Sequence, residues 1–257
     1  MKELVSVIIP IPDPNLSPTQ ERLLHHSIEA LGRYPIIFIT YPNADLSIIK
    51  EHKEDIDVIY FPKEYFVSRQ ALSKLLLMED FYDQFSWSSY LLVHELNSWV
   101  VKDELYYWCK QGYDYLKAAP VIETEHKKSD FAKSLTQISG LSVIQKQVLG
   151  NNFQDNGLYL CLIERMISTL KSKQKVAYQY RHQDEFSNSD SVFWEIEANR
   201  FWPSLRKPSP IVQSYFAQHI DNIYPATKST NPKLPFAYTG VNNRNIEALP
   251  FFDGATN

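Results

Sequence analysis

A chain of 257 residues with 44% hydrophobic and 22% charged side chains is long enough to bury a sizeable core and has an ordinary globular composition. Its formal net charge of -4 offers no overall attraction to nucleic acid, its 7 glycines include no G-x-G-x-x-G or Walker sequence, and no apolar run approaches the roughly 20 residues of a membrane-spanning helix. Met1 is followed by Lys2-Glu3 and a strand pattern rather than a signal peptide, and Cys109 and Cys161 lack metal-ligand spacing, so the expectation is a reduced, cytoplasmic protein for which peripheral membrane contact stays open.

The β-branched run Leu4 to Pro10 predicts a buried strand, closed by three prolines between Pro10 and Pro14. Ser17-Pro18-Thr19-Gln20 is a capping box with proline at the first helical position. It opens a helix that carries Leu23, Leu24, Ile28 and Leu31 on one face and stops at Gly32. Pro35 to Thr40 follows as a strand, completing a βαβ unit with parallel pairing. A short helix (Leu46 to His52), a strand (Val58 to Phe61) and an amphipathic helix (Ser73 to Tyr82) come next, and the pair His25-His26 reads as surface.

Residues Tyr90 to Leu105 organise the rest: an apolar run, Tyr90 to Val93, ends abruptly in His94, Glu95 and Asn97. That is the pattern of a buried parallel strand, and ligands bind outside the carboxyl ends of such strands. Glu95 and Asn97 are two residues apart, so an extended chain points both oxygen-bearing side chains the same way. His94 alternates to the opposite face and reads as a core histidine. Asp103 is expected to cap a helix from Glu104 to Gln111 closed by Gly112, and Tyr113 to Leu116 is a short strand.

Beyond residue 120 the pattern is less regular. Residues 123–134 read as a charged loop, Asn156-Gly157 as a turn, Ile163 to Leu170 as a helix, and Val176 to Tyr180 as a strand after a basic turn. Asp190 precedes the apolar run Val192-Phe193-Trp194, where it fits a helix N-cap. The last residues, after Phe236, read as a tail lying over a surface. With no repeat or linker, the expectation is one α/β domain over residues 1–257, with a nucleotide-binding half (1–120) and an acceptor half (121–257) ending in that tail.

The order of these landmarks resembles a glycosyltransferase-like family found in bacteria and fungi. The matching stretches are LVSVIIP, PIIFIT, Phe81 to Phe85, LLVHELNSWV, Gly112 to Pro120, Asp155 to Leu160, Ser189 to Trp194 and Leu234 to Phe236. The resemblance implies a GT-A fold: a Rossmann-type, mostly parallel sheet flanked by helices. It implies transfer of a sugar from a nucleotide-diphosphate sugar to a saccharide or lipid-linked acceptor, with inversion, in polysaccharide biosynthesis. It also implies a divalent metal, Mn or Mg, at the strand end, where Glu95 and Asn97 would be the ligands. Asn156 and Gly157 would cradle the donor, and Asp190 would be the catalytic base. Pro10 and Asp13 lie where the nucleotide base would sit, and Asp13 suits a turn role equally well.

The chain departs from that pattern in three places. Asn97 stands where the family carries an aspartate, Ser189 where it carries a glutamate, and Ala237, Tyr238 and Thr239 where it carries a histidine. Hard cations want anionic oxygen ligands, so these departures weaken the metal site. The leaving diphosphate would then draw on a cation such as Lys102, Lys117, Arg181 or Arg244. The departures also motivate a rival reading: a catalytically degenerate GT-A fold that binds a sugar nucleotide, a glycan or a partner protein.

Overall fold

In the computed structural model, which describes residues 2–119, 157–183, 188–222 and 234–249, the β-branched run Glu3–Pro10 forms β1, buried from Val5 onward. It lies between two parallel neighbours, Ile36–Thr40 (β2) and Ser88–His94 (β4), with Val7 opposite both Ile36 and Leu92. Asp57–Tyr60 (β3) adds in parallel to β2. On the other side Leu158–Leu162 (β7) pairs antiparallel with β4, and Tyr115–Lys117 (β6) antiparallel with β7. The order β3-β2-β1-β4-β7-β6 makes a mixed, mostly parallel sheet.

Alternation along these strands feeds two cores. Val7, Ile9 and Leu92 face one side, against Leu24 and Leu31 of helix Pro18–Leu31 (α1) and Trp108 of helix Leu105–Lys110 (α5). Ile8, Leu91 and Val93 face the other, against helices Arg69–Leu75 (α3), Glu79–Asp83 (α4), Ile163–Ser172 (α6), Gln174–His182 (α7) and Ser189–Glu195 (α8). Both cores draw residues from before 120 and after 157. The short helix Ser47–His52 (α2) joins β2 to β3.

α1 begins as expected: the Ser17 side chain accepts from the Gln20 N–H, and the Gln20 side chain accepts from the Ser17 N–H. Gly32 ends it in a right-handed conformation, with φ -62°. The glycine is needed there for closeness, since a Cβ would lie 2.6 Å from the Ile28 carbonyl oxygen.

Several expectations change. The helix predicted from Ser73 to Tyr82 is two short helices, α3 and α4. The first starts earlier because Ser68 caps it through the Ala71 N–H. The strand predicted at Val176 to Tyr180 is helix α7: Val176, Ala177 and Tyr180 fall on one helical face against the second core, and Tyr178 stacks on His182 one turn on. Asp190 is not the N-cap of α8, a position held by Asn188. The tail after Phe236 is in part a strand. Ala237–Thr239 (β9) is the middle of a second sheet, between Ser98–Val100 (β5) and Ala217–His219 (β8), with β8 following directly from helix Pro210–Phe216 (α9). His26 is not a surface residue: its ring stacks on Trp99 at 3.6 Å and its Nε2 meets the Val100 carbonyl at 2.6 Å, fastening α1 to β5. The predicted loop at 123–134 lies outside the described residues.

His94 is fully buried at the end of β4, with Ser27 at 3.3 Å from its Nε2. Burial holds its pKa down at about 4, against 6.5 for a free imidazole. The unfolded chain therefore takes up a proton near pH 6.5 that the fold refuses until about pH 4, so stability falls as pH drops through that window. The loss expected from this residue is about 3 kcal/mol. Urea titrations between neutral pH and pH 4 should show the slope, and His94→Gln should remove most of it.

Candidate functional site

β1 and β4 run parallel and side by side, so their carboxyl ends open at the same edge of the sheet. The chain leaving β1 through Pro10, Pro12 and Asp13, and the chain leaving β4 through Glu95, Leu96 and Asn97, wall a hollow of about 190 Å³. Leu72 of α3 and Gln20 of α1 complete it. A second hollow, of about 440 Å³, shares Gln20, Leu96 and Asn97 and continues past Asn242 and Arg244. Asp13 lines the first while its Oδ1 accepts from the Asn15 N–H at 2.9 Å, so it serves as a turn residue as well.

Asn97 is held tightly. Its backbone carbonyl accepts from the Val241 N–H at 2.8 Å, and its Oδ1 accepts from the Ser98 hydroxyl at 3.1 Å. Gly157 sits beneath it at φ 60°, and a Cβ there would lie 1.9 Å from Asn97 Oδ1. Its carbonyl in turn accepts from the Glu95 N–H at 2.7 Å. Only glycine gives both the left-handed backbone and the close approach. Asn156 lies outside the described residues.

Asp190 comes to this edge from α8. Its carboxylate is 1% exposed and is held by two partners. The Ser73 hydroxyl donates to Oδ1 at 2.5 Å, and the Asp190 N–H donates back to Ser73 Oγ at 2.7 Å. Arg69 Nη2 donates to Oδ2 at 3.3 Å. The same guanidinium reaches Glu95, with Nε 3.5 Å from Oε1. One cation thus joins the acidic residue after β4 to the one in α8. Arg69 and Glu95 remain partly open, at 22% and 16% side-chain exposure.

The remaining candidate cations scatter. Arg244 lines the larger hollow. Lys102 pairs with Glu104 at 2.7 Å, well below the mouth of the sheet, Lys117 lies 3.9 Å from Glu195, and Arg181 donates to the Leu77 carbonyl. No histidine follows Phe236 in sequence, and the histidine nearest β9 is His219. His219 on β8 pairs with Thr239, and a Cβ on the neighbouring Gly240 would lie 2.0 Å from its Nε2. Burial lowers its pKa, with Asp221 acting against that shift.

For a divalent metal, the donor set at Glu95 and Asn97 is a poor fit. It offers one carboxylate, already facing Arg69, and one amide already accepting from Ser98. Among the described residues no group of three or more histidines, cysteines, aspartates or glutamates could hold a metal ion.

The architecture is that of GT-A glycosyltransferases. Mouse xyloside xylosyltransferase 1, in its apo form, superposes with a TM-score of 0.53 over 93% of this chain and 98% of its own, at 11% identity. The galactosyltransferase LgtC, solved with donor and acceptor sugar analogues, superposes with a TM-score of 0.54 over 93% of this chain and 87% of its own, at 12% identity. At such identities the likeness defines the fold. By sequence the chain belongs to the family described as "Protein of unknown function (DUF5672)", whose model matches residues 55–239. No curated protein matches the chain in sequence.

Removing Arg69 would strand a buried carboxylate. Arg69→Met is expected to destabilise the protein by about 3 kcal/mol, and Asp190→Asn in that background should recover part of the loss. Equilibrium unfolding of the two single variants and the double variant measures this. Additive losses would mean that the two side chains do not interact.

Proposed function

We propose that this protein is a glycosyltransferase that moves a sugar from a nucleotide-diphosphate sugar to a hydroxyl of a saccharide or lipid-linked acceptor. The observation that carries the reading is the meeting of Glu95, Arg69 and Asp190 at the carboxyl edge of a GT-A sheet, beside hollows built from Pro10, Asp13, Asn97 and Arg244.

In this reading the nucleoside lies in the hollow behind Pro10 and Asp13. The diphosphate lies over Asn97 and the Gly157 turn, and Arg69 and Arg244 offset the charge that builds as the sugar leaves. Asp190 is the base. Closed under Arg69, its Oδ2 cannot take a proton from an acceptor. A bound diphosphate competes for the same guanidinium and draws it off. The freed carboxylate then takes the acceptor proton as the hydroxyl oxygen attacks the anomeric carbon and the nucleoside diphosphate leaves with the bonding pair. A single displacement of this kind inverts the anomeric centre. A general base contributes typically ~10²- to 10⁴-fold. No step is routed through a metal, because the donor set does not suit one.

A second reading is favoured by one specific observation, the near-complete burial of Asp190. On that reading the same cleft binds a sugar nucleotide or glycan, or a partner protein, without turnover, and Asp190 only anchors Arg69.

Thermal-shift and turnover measurements with a panel of nucleotide-diphosphate sugars separate the two. The transferase reading expects stabilisation by one donor and turnover of it. It also expects a loss of at least about 10²-fold in kcat for Asp190→Asn with little change in KM. Binding without turnover would favour the binding module, and no response to any donor would remove the transferase reading and leave only a glycan- or partner-binding cleft.

A further inference from the structure

We propose a second saccharide-binding site at the opposite end of the sheet. It is a cavity of about 370 Å³ between α5 and α9, walled by Tyr107, Trp108, Tyr113 and Tyr215. Its distance from the first site follows from α1. The start of that helix, at Ser17 and Gln20, lines the larger hollow beside Asn97. Just past its end, Tyr34 donates to Asp103 at 2.9 Å and accepts from the Tyr106 N–H at 3.2 Å, where α5 begins. Fourteen helical residues separate the two ends, roughly 20 Å.

The cavity is built rather than incidental. Gly112 turns the chain at φ 70°, so the last turn of α5 and Tyr113 face the same space. Arg206 lies over the Tyr113 ring at 5.3 Å, and its guanidinium donates to the Gly112 carbonyl at 3.3 Å, fixing that corner. Gln111 donates to the Tyr107 carbonyl at 3.2 Å. Phe216 packs edge-on against Trp108 from behind.

Its chemistry suits a neutral, polyhydroxylated ligand. Tyr107 and Tyr215 remain 54% and 41% exposed, presenting ring faces on which the C–H faces of a sugar can lie. The rim is polar but neutral overall. Lys102 and Glu104, paired at 2.7 Å, offer a donor and an acceptor side by side, and Gln111 adds an amide oxygen. The lining charges Lys102 and Glu104 cancel, and Arg206 at the corner is already engaged by the Tyr113 ring and the Gly112 carbonyl, so the cavity offers little to a nucleotide or other anion. The Trp108 indole N–H, in the wall, is buried without a hydrogen-bond partner among the described residues. Buried donors of this kind are costly unless a partner reaches them, and a slight shift of the wall would offer this one to a ligand hydroxyl.

The test uses maltotetraose, cellotetraose and mannotetraose as probes, with binding read by saturation-transfer NMR and calorimetry on the full chain. At least one should bind. Tyr107→Ala and Tyr215→Ala, both at exposed rings, should each weaken it about tenfold or more while the unfolding midpoint holds. Asp190→Asn should leave tetrasaccharide binding unchanged, so this site is judged separately from sugar transfer. The proposal is overturned if none of the three binds, or if binding is unaltered in both tyrosine variants. It is also overturned if vesicles containing phosphatidylglycerol are captured by the wild type and lost with Tyr107→Ala, which would make the surface a membrane contact.

Discussion

The guanidinium of Arg69, shared between Glu95 and Asp190, is the contact on which the arrangement at the sheet edge depends. Two carboxylates brought together near a protein interior repel unless a cation stands between them. Asp190 is buried, and the Ser73 hydroxyl and the Arg69 cation offset the cost of burying its carboxylate. Ser73 and Arg69 sit four residues apart on α3, so one turn of one short helix supplies both partners. The Ser68 cap that starts that helix earlier than its apolar pattern suggests is therefore part of the site.

The surrounding fold keeps this contact at the mouth of the sheet. β1 and β4 fix where Pro10 and Glu95 emerge, because their pairing is parallel and in register. Beyond them the chain is fastened by short-range devices. Gly157 lets β7 begin directly under Asn97, and the three-stranded second sheet clamps β5 from the other side. His26 stacked on Trp99 ties that sheet to α1. Such a frame can stay rigid while a single side chain moves, which is what the proposed exchange of Asp190 for a diphosphate at Arg69 requires.

Much of the first half was legible in the sequence because its signals are local. The β-branched run of β1, the capping box at Ser17 and the abrupt polar end of β4 each carry their own physics within a few residues. Glu95, Asn97, Pro10 and Asp13 could be nominated for one place because parallel strands end at one edge. The second sheet was not legible. Its strands are three residues each, too short for alternation to register, and β5 pairs with β9 across more than a hundred positions. α7 was misread because Val176, Tyr178 and Tyr180 alternate like a strand, and only the packing of Val176 and Tyr180 on the second core decides for the helix. Arg69 carried no signal, since nothing near it in sequence marks it as the partner of two distant acids.

The most direct measurement is a crystal structure of the protein soaked with uridine diphosphate or guanosine diphosphate. The account predicts the nucleoside between Pro10 and Asp13 on one side and Glu95 to Asn97 on the other, with a phosphate oxygen on the Arg69 guanidinium and the Asp190 contact broken. A nucleotide bound elsewhere, or one seated in that hollow with the Arg69 to Asp190 contact intact, would contradict it.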